Sequence, residues 1–269
     1  MIGFLRGTET RQKIVVPVVI QNMQLNRKHR KARKMIEQKI IFTKKKATEI
    51  VGTLGHSSKM GNDVNNFGIS VLNCGIGSKL HKCKGSVCEN CYAYEGNYNY
   101  PSVQKSHAQR LQNLAIQNRD DWVNAMVSLI NKTEKKYFRW LDSGDFNANA
   151  KANGIEFLIR IIEVAKQTPK VKHWIPTKEF PVIKKYLKQY GDFPKNVVVR
   201  ISDYMVNKNK FKPNANYKIS TVISKVENYS LIKTNNSVLC HATIDGTHKC
   251  GECKKCWSKR YDQIVYLAH

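Results

Sequence analysis

Residues 137–201, YFRWLDSGDFNANAKANGIEFLIRIIEVAKQTPKVKHWIPTKEFPVIKKYLKQYGDFPKNVVVRI, alternate two kinds of apolar pattern. Short runs rich in aromatic and β-branched residues at 137–141, 171–176 and 196–201 read as buried strands. Between them, 154–166 and 180–190 repeat apolar residues at helical spacing. Strands alternating with helices predict parallel pairing through right-handed crossovers. The expected fold class is therefore α/β, either a partial parallel (β/α) barrel or an open sheet.

Working outward, 102–118 and 121–131 read as helices, and apolar runs at 217–223 and 237–239 as two more strands. Residues 52–76 are rich in Gly, Ser and Asn without periodicity and read as a loop. The run KIVVPVVI at 13–20 carries Pro17 and suits an edge strand or extended segment. A basic amphipathic helix is expected over 26–43. Three regions follow from these shifts in texture: a basic extension over 1–50, an α/β core over 51–235, and a cysteine-rich segment over 236–269. No internal repeat is evident.

In α/β sheets, ligands meet the loops at the C-terminal strand ends. The expected strands end in Asp142, Ser143, Gly144 and Asp145, then in Thr177, Lys178 and Glu179, then in Arg200, Ser202 and Asp203. Chains turn at strand ends, so one polar end means little, but three in succession point to a pocket.

All eight cysteines fall into two sets: Cys74, Cys83, Cys88 and Cys91, and Cys240, Cys250, Cys253 and Cys256. Thiolates are soft ligands, so four in a short segment suit a metal ion or an iron–sulfur cluster. Nothing in the chain reads as a secretion signal, which favours metal over disulfides. Zinc would accept either set. The long irregular gaps, and the Cys-x2-Cys-x2-Cys step in CGECKKCW, lean toward [4Fe–4S] clusters. Trp257, directly after Cys256, reads as an apolar lid. Nearby His56, His81, His241 and His248 are weaker ligand candidates than the thiols. Tyr92, Tyr94, Tyr98 and Tyr100 beside the first set would stack on bases, shield a cluster or simply pad the loop.

Composition bounds the partners. With 46 Lys and Arg against 20 Asp and Glu, the net charge is +26 and the pI about 9.8. Such an excess attracts polyanions, so DNA or RNA is the expected partner. Lysine over-use from an AT-rich genome would give the same charge with no partner. Arg27, Lys28, Arg30, Lys31, Arg33 and Lys34 form the densest cationic run and are the expected phosphate contacts. No apolar run is long enough for a membrane span, and a cytoplasmic location in a host cell is expected.

The ordered motifs SKMGNDVNNFGISVLNCGIGSKLHKCKGSVCENCYAYEGNYNYPSVQ, RWLDSGDF, WIPTKEF, VVVRIS and CGECKKCW resemble the phage-borne family named after gene product 88, over residues 54–257. The same order is similar, more distantly, to radical S-adenosylmethionine enzymes whose cluster loop ends in CxxCYA. That resemblance implies a cluster loop after the first strand, with Cys74, Cys88 and Cys91 as ligands and one iron left open for S-adenosylmethionine. It implies cofactor contacts from Ser143, Gly144 and Asp145, and from Lys178, Arg200 and Ser202. The second set would hold an auxiliary cluster with all four cysteines. The spacing departs from the usual CxxxCxxC, and a ligating Cys83 would close the open position. Two readings follow: a radical enzyme acting on or along nucleic acid, or a non-enzymatic nucleic-acid-binding protein with two structural metal sites.

Overall fold

The computed structural model describes residues 41–268. Arg27, Lys28, Arg30, Lys31, Arg33 and Lys34, the extended segment at 13–20 and most of the helix expected at 26–43 lie outside the described residues. Where that helix was expected to end, another begins. The Thr43 hydroxyl accepts a hydrogen bond from Lys46 N at 3.2 Å and caps helix α1, Lys44–Val51.

Among the described residues, seven strands form one parallel sheet: β1 (Val64–Phe67), β2 (Tyr137–Trp140), β3 (Lys172–Thr177), β4 (Val197–Ser202), β5 (Lys218–Ile223), β6 (Ser237–Leu239) and β7 (Gln263–Leu267). Their order is β1-β2-β3-β4-β5-β7-β6, and no pairing joins the two edges, so the sheet is open. The expected α/β class holds. Two strands, β1 and β7, were not expected, whereas β6 falls where 237–239 was read as a strand. In β1 only the terminal Val64 and Phe67 are apolar, because Asn65 turns aside to donate to Thr133 Oγ1 at 2.6 Å. Both β6 and β7 come from the cysteine-rich segment, which thereby completes the sheet.

Helix α2 (Ile76–Leu80), α3 (Pro101–Ile116) and α4 (Arg119–Thr133) lie between β1 and β2, α5 (Ile155–Gln167) precedes β3, and α6 (Phe180–Tyr190) precedes β4. Parallel crossovers are right-handed, so a sheet that advances steadily from β1 to β5 carries its crossover helices on one face. Alternation along the strands obeys this. Phe138, Trp140, Ile175, Val197, Val199 and Ile201 enter the main core with the helices. Val64, Trp174 and Tyr137 turn the other way and meet Met60 and Trp257.

A buried polar chain fixes one core histidine. Trp140 Nε1 donates to His173 Nδ1 at 3.1 Å, His173 Nε2 lies 2.9 Å from Thr168 Oγ1, and that hydroxyl donates to Val164 O at 2.8 Å. Only the neutral ring with its proton on Nε2 satisfies all three. Burial accordingly lowers the histidine to about 3. No described helix is long and apolar enough to cross a membrane.

Candidate functional site

The connection from β1 to β2 carries the first cysteine set and is pinned to the C-terminal ends of three strands. Gly75 N donates to Phe146 O beyond β2 at 3.2 Å, Ile76 N to the Glu179 carboxylate beyond β3, and Val87 N to Tyr204 O beyond β4 at 2.9 Å. A Cβ at residue 75 would fall 2.2 Å from Glu179 Oε1, so a larger residue there would push the Glu179 carboxylate from its place. Cys74 is buried, Cys88 and Cys91 are half-buried, and Cys83 is exposed with its thiol toward Lys84 O at 3.9 Å. Burial pushes the Cys74 thiol up, helped by Asp145, Cys91 and Cys88. Cys88 and Cys91 are also pushed up by burial, while Lys178 pulls both back. These thiols are poised to ionise only against a cationic centre.

The expected strand-end residues divide. Asp145 accepts from Phe146 N at 2.7 Å, Thr177 Oγ1 at 2.6 Å and Lys178 N at 2.7 Å, and so clamps the ends of β2 and β3 beside Cys74. Burial still lifts its carboxyl to about 6. Gly144 has φ +72°, and a Cβ there would meet Ile69 O at 2.7 Å. Ser143 is buried next to it, and Lys178 is buried on the side of Cys88 and Cys91. Ser202 Oγ lies 3.0 Å from Ser220 Oγ. Arg200 belongs elsewhere: it donates to the carbonyls of Ile219, Lys255, Cys256, Ser258 and Tyr261, thereby gripping the second cysteine segment.

At this rim Arg110 and Arg139 were not singled out from sequence, and Tyr92 was named only to stack, shield or pad. Tyr92, next to Cys91, donates to Asp142 O at 2.5 Å and accepts from Arg139 Nη2 at 3.2 Å. Arg110 on α3 donates to Gly68 O at 2.9 Å, just past β1. Four of the six buried polar side-chain atoms without a partner among the described residues cluster in this corner: Arg110 Nε, Arg139 Nε, Asp142 Oδ1 and Ser143 Oγ. Buried polar atoms are normally paired, so such a concentration marks a place for a polar ligand. Asp142 is pushed up by burial although both guanidinium groups pull it down. A visible clue exists: Arg139 breaks an otherwise apolar strand.

The second set lies across the face opposite the crossover helices. Cys240 N donates to Val265 O on β7 at 2.8 Å, Cys250 N to Lys59 O before β1 at 2.6 Å, and Trp257 Nε1 to Phe138 O on β2 at 2.9 Å. All four cysteines line one small cavity of about 20 Å³ with Trp257 and Ile264. The Tyr266 hydroxyl lies 3.3 Å from Cys256 Sγ, and burial pushes that thiol up to about 11 although Arg200 lowers it. Trp257 packs edge-on against Trp174 and Tyr137, as a lid would.

No group of three or more His, Cys, Asp or Glu among the described residues is drawn together to hold a single metal ion. Four thiolates about 2.3 Å from one zinc ion would have to converge closely. A cluster needs them wider, because its thiolates bind different irons. Gly77 bears on this fit: a Cβ there would lie 3.6 Å from Cys74 Sγ and 3.9 Å from Cys88 Sγ, filling space between the two sulfurs. The missing side chain leaves room beside the Cys74 and Cys88 thiols.

A family model described as gene product 88 matches residues 20–259. The comparisons with curated proteins and with solved structures return no match.

Proposed function

Since this chain belongs to the gene product 88 family, we propose that it is an iron–sulfur protein of radical S-adenosylmethionine type acting on or along nucleic acid. The observation that supports the reading is the exposure of Cys83, beside a buried Cys74 and half-buried Cys88 and Cys91. Three thiols at a strand-end rim would hold three corners of a [4Fe–4S] cluster and leave the fourth to an outside ligand. Such a cluster supplies the electron that cleaves S-adenosylmethionine to a radical able to take hydrogen from a base, sugar or protein target. The chain's own part is to bind and orient. Arg110, Arg139 and Ser143 offer unpaired donors and Asp142 an unpaired acceptor, a set that suits a zwitterionic amino-acid group. Lys178 offsets thiolate charge, and Asp145 fixes the relative height of β2 and β3. Cys240, Cys250, Cys253 and Cys256, which line one cavity, would supply the four thiolates of a second cluster.

Anaerobic reconstitution tests this. Two [4Fe–4S] clusters give a brown protein with about eight irons, and dithionite with S-adenosylmethionine yields 5′-deoxyadenosine. Cys88→Ser abolishes the product, while Cys83→Ser retains it. An intact cluster that forms no 5′-deoxyadenosine sinks the proposal. The charge of +26 favours a second reading, a non-enzymatic nucleic-acid-binding protein whose two metal sites are structural. Its signature is salt-dependent binding to DNA or RNA without any turnover.

A further inference from the structure

We infer that a groove between the start of α6 and the β4–β5 loop binds single-stranded nucleic acid and leads it toward the first cysteine set. The inference rests on the nucleic-acid half of the proposed function and gives it a surface. Phe180, Pro181 and Lys184 form one wall, and Tyr204, Lys210 and Phe211 the other, around an open volume of about 490 Å³. That size falls in the range of roughly 300–1,000 Å³ found for small-ligand sites.

The chemistry of the walls is that of strand binders, which combine cations for phosphates with aromatic rings for bases. Lys210 Nζ lies 4.9 Å from the Tyr204 ring centre and 5.9 Å from that of Phe211, and Lys184 Nζ lies 5.8 Å from that of Phe180. Both lysines are exposed, whereas Phe180 and Tyr204 are half-buried and so held in place. An incoming phosphate draws each ammonium off its ring and frees the ring face for a base. Among the described residues, no acidic side chain lines the groove. The nearest expected candidate, Asp203, is buried and accepts from Lys210 N at 2.8 Å and Thr221 Oγ1 at 2.7 Å, which shapes the loop from behind.

The groove is also joined to the thiol site. The Tyr204 hydroxyl donates to Lys178 O at 3.1 Å, and Tyr204 O accepts from Val87 N, one residue before Cys88. Val206 N donates to Gly85 O at 3.0 Å, so the groove wall and the cysteine loop run edge to edge. A strand seated on Tyr204 is therefore next to Lys178 and the loop that carries Cys88 and Cys91.

Fluorescence anisotropy of the full-length protein, purified without oxygen, tests the groove with oligonucleotides of about 12 nucleotides. Single-stranded DNA and RNA arms show which sugar is preferred, and duplex DNA and polyglutamate serve as competitors. Lys184→Ala with Lys210→Ala is expected to weaken single-strand binding about tenfold and to flatten the salt slope by about 1.4, from two contacts at roughly 0.7 each. An abasic strand loses roughly tenfold through missing stacking. The control is Lys166→Ala with Lys170→Ala, equal in charge but at the N-terminal end of β3 and exposed, and it has the smaller effect. Equal losses in the two double variants overturn the groove, as does equal competition by duplex or polyglutamate. Formation of 5′-deoxyadenosine without nucleic acid is scored separately. Groove binding without it overturns the enzyme, and its formation without groove binding overturns the groove alone.

Discussion

The cysteines of residues 74–91 sit on a loop pinned to strand ends, whereas those of residues 240–256 lie across the face of the sheet opposite the crossover helices. The first set divides into three half-buried or buried thiols and one exposed thiol, while the second keeps all four around one cavity. Their surroundings differ in kind. Around the first, Arg110 Nε, Asp142 Oδ1 and Ser143 Oγ lack partners, and Arg139 Nε and Trp174 Nε1 extend that set toward the second; beside the second, Arg200 spends its guanidinium on five carbonyls. Unspent donors are equipped to receive something, and a saturated clamp such as Arg200 is equipped to stay put.

The strongest way to break this contrast is at Arg200. Arg200→Met keeps much of the apolar stem but strands the carbonyls of Ile219, Lys255, Cys256, Ser258 and Tyr261. The expected loss is about 3 kcal/mol or more, because buried hydrogen bonds to a charged group are among the costliest to remove. Urea unfolding followed by tryptophan fluorescence measures it. A loss below about 1 kcal/mol would show that the second segment is held by something other than this clamp.

A smaller effect is expected at the open site. Tyr92→Phe removes a hydroxyl that donates to Asp142 O and accepts from Arg139, leaving a charged donor with one partner fewer. The ring itself is 47% exposed, so the substitution creates no cavity. A cost of about 1–2 kcal/mol is expected, with faster hydrogen exchange confined to the loop that follows Cys91. Uniform loosening of the whole sheet would instead make Tyr92 a general strut.

How much of this was legible in the sequence depended on where the physical signal resides. The helices and central strands announced themselves because burial on one or both faces imposes apolar periodicity: helix 180–190 was read at its observed bounds, and the three central strands within one residue at either end. Strand β1 did not, since two of its four residues are asparagines, one of them satisfied by Thr133. The cysteine spacing identified two thiol sets, but spacing is blind to direction. Nothing in KCKGSVCENC says that Cys83 turns to solvent. The strand-end polar residues were treated as one rim, yet Arg200 lies within its strand and alternation aims it at the face opposite the crossover helices. The same rule applied to YFRWL would have placed Arg139 on that face and asked for its partners.

The finest test concerns Cys83, where the contrast between three thiols and four is decided. Its exposure predicts that Cys83→Ser changes stability by less than about 0.5 kcal/mol, as surface substitutions generally do. Reactivity discriminates more sharply. Only the thiolate is nucleophilic, and burial pushes Cys74, Cys88 and Cys91 up, so near neutral pH these three remain protonated in metal-free protein. Iodoacetamide followed by peptide mass analysis is expected to label Cys83 before them. Raising the pH should bring in Cys88 and Cys91 next, since Lys178 favours their ionised forms, and Cys74 last, since Asp145 opposes its own. Labelling of Cys83 in step with Cys88 would return it to the cradle. The first set would then be closed by four thiols like the second, and the argument for an open coordination position would fall with it.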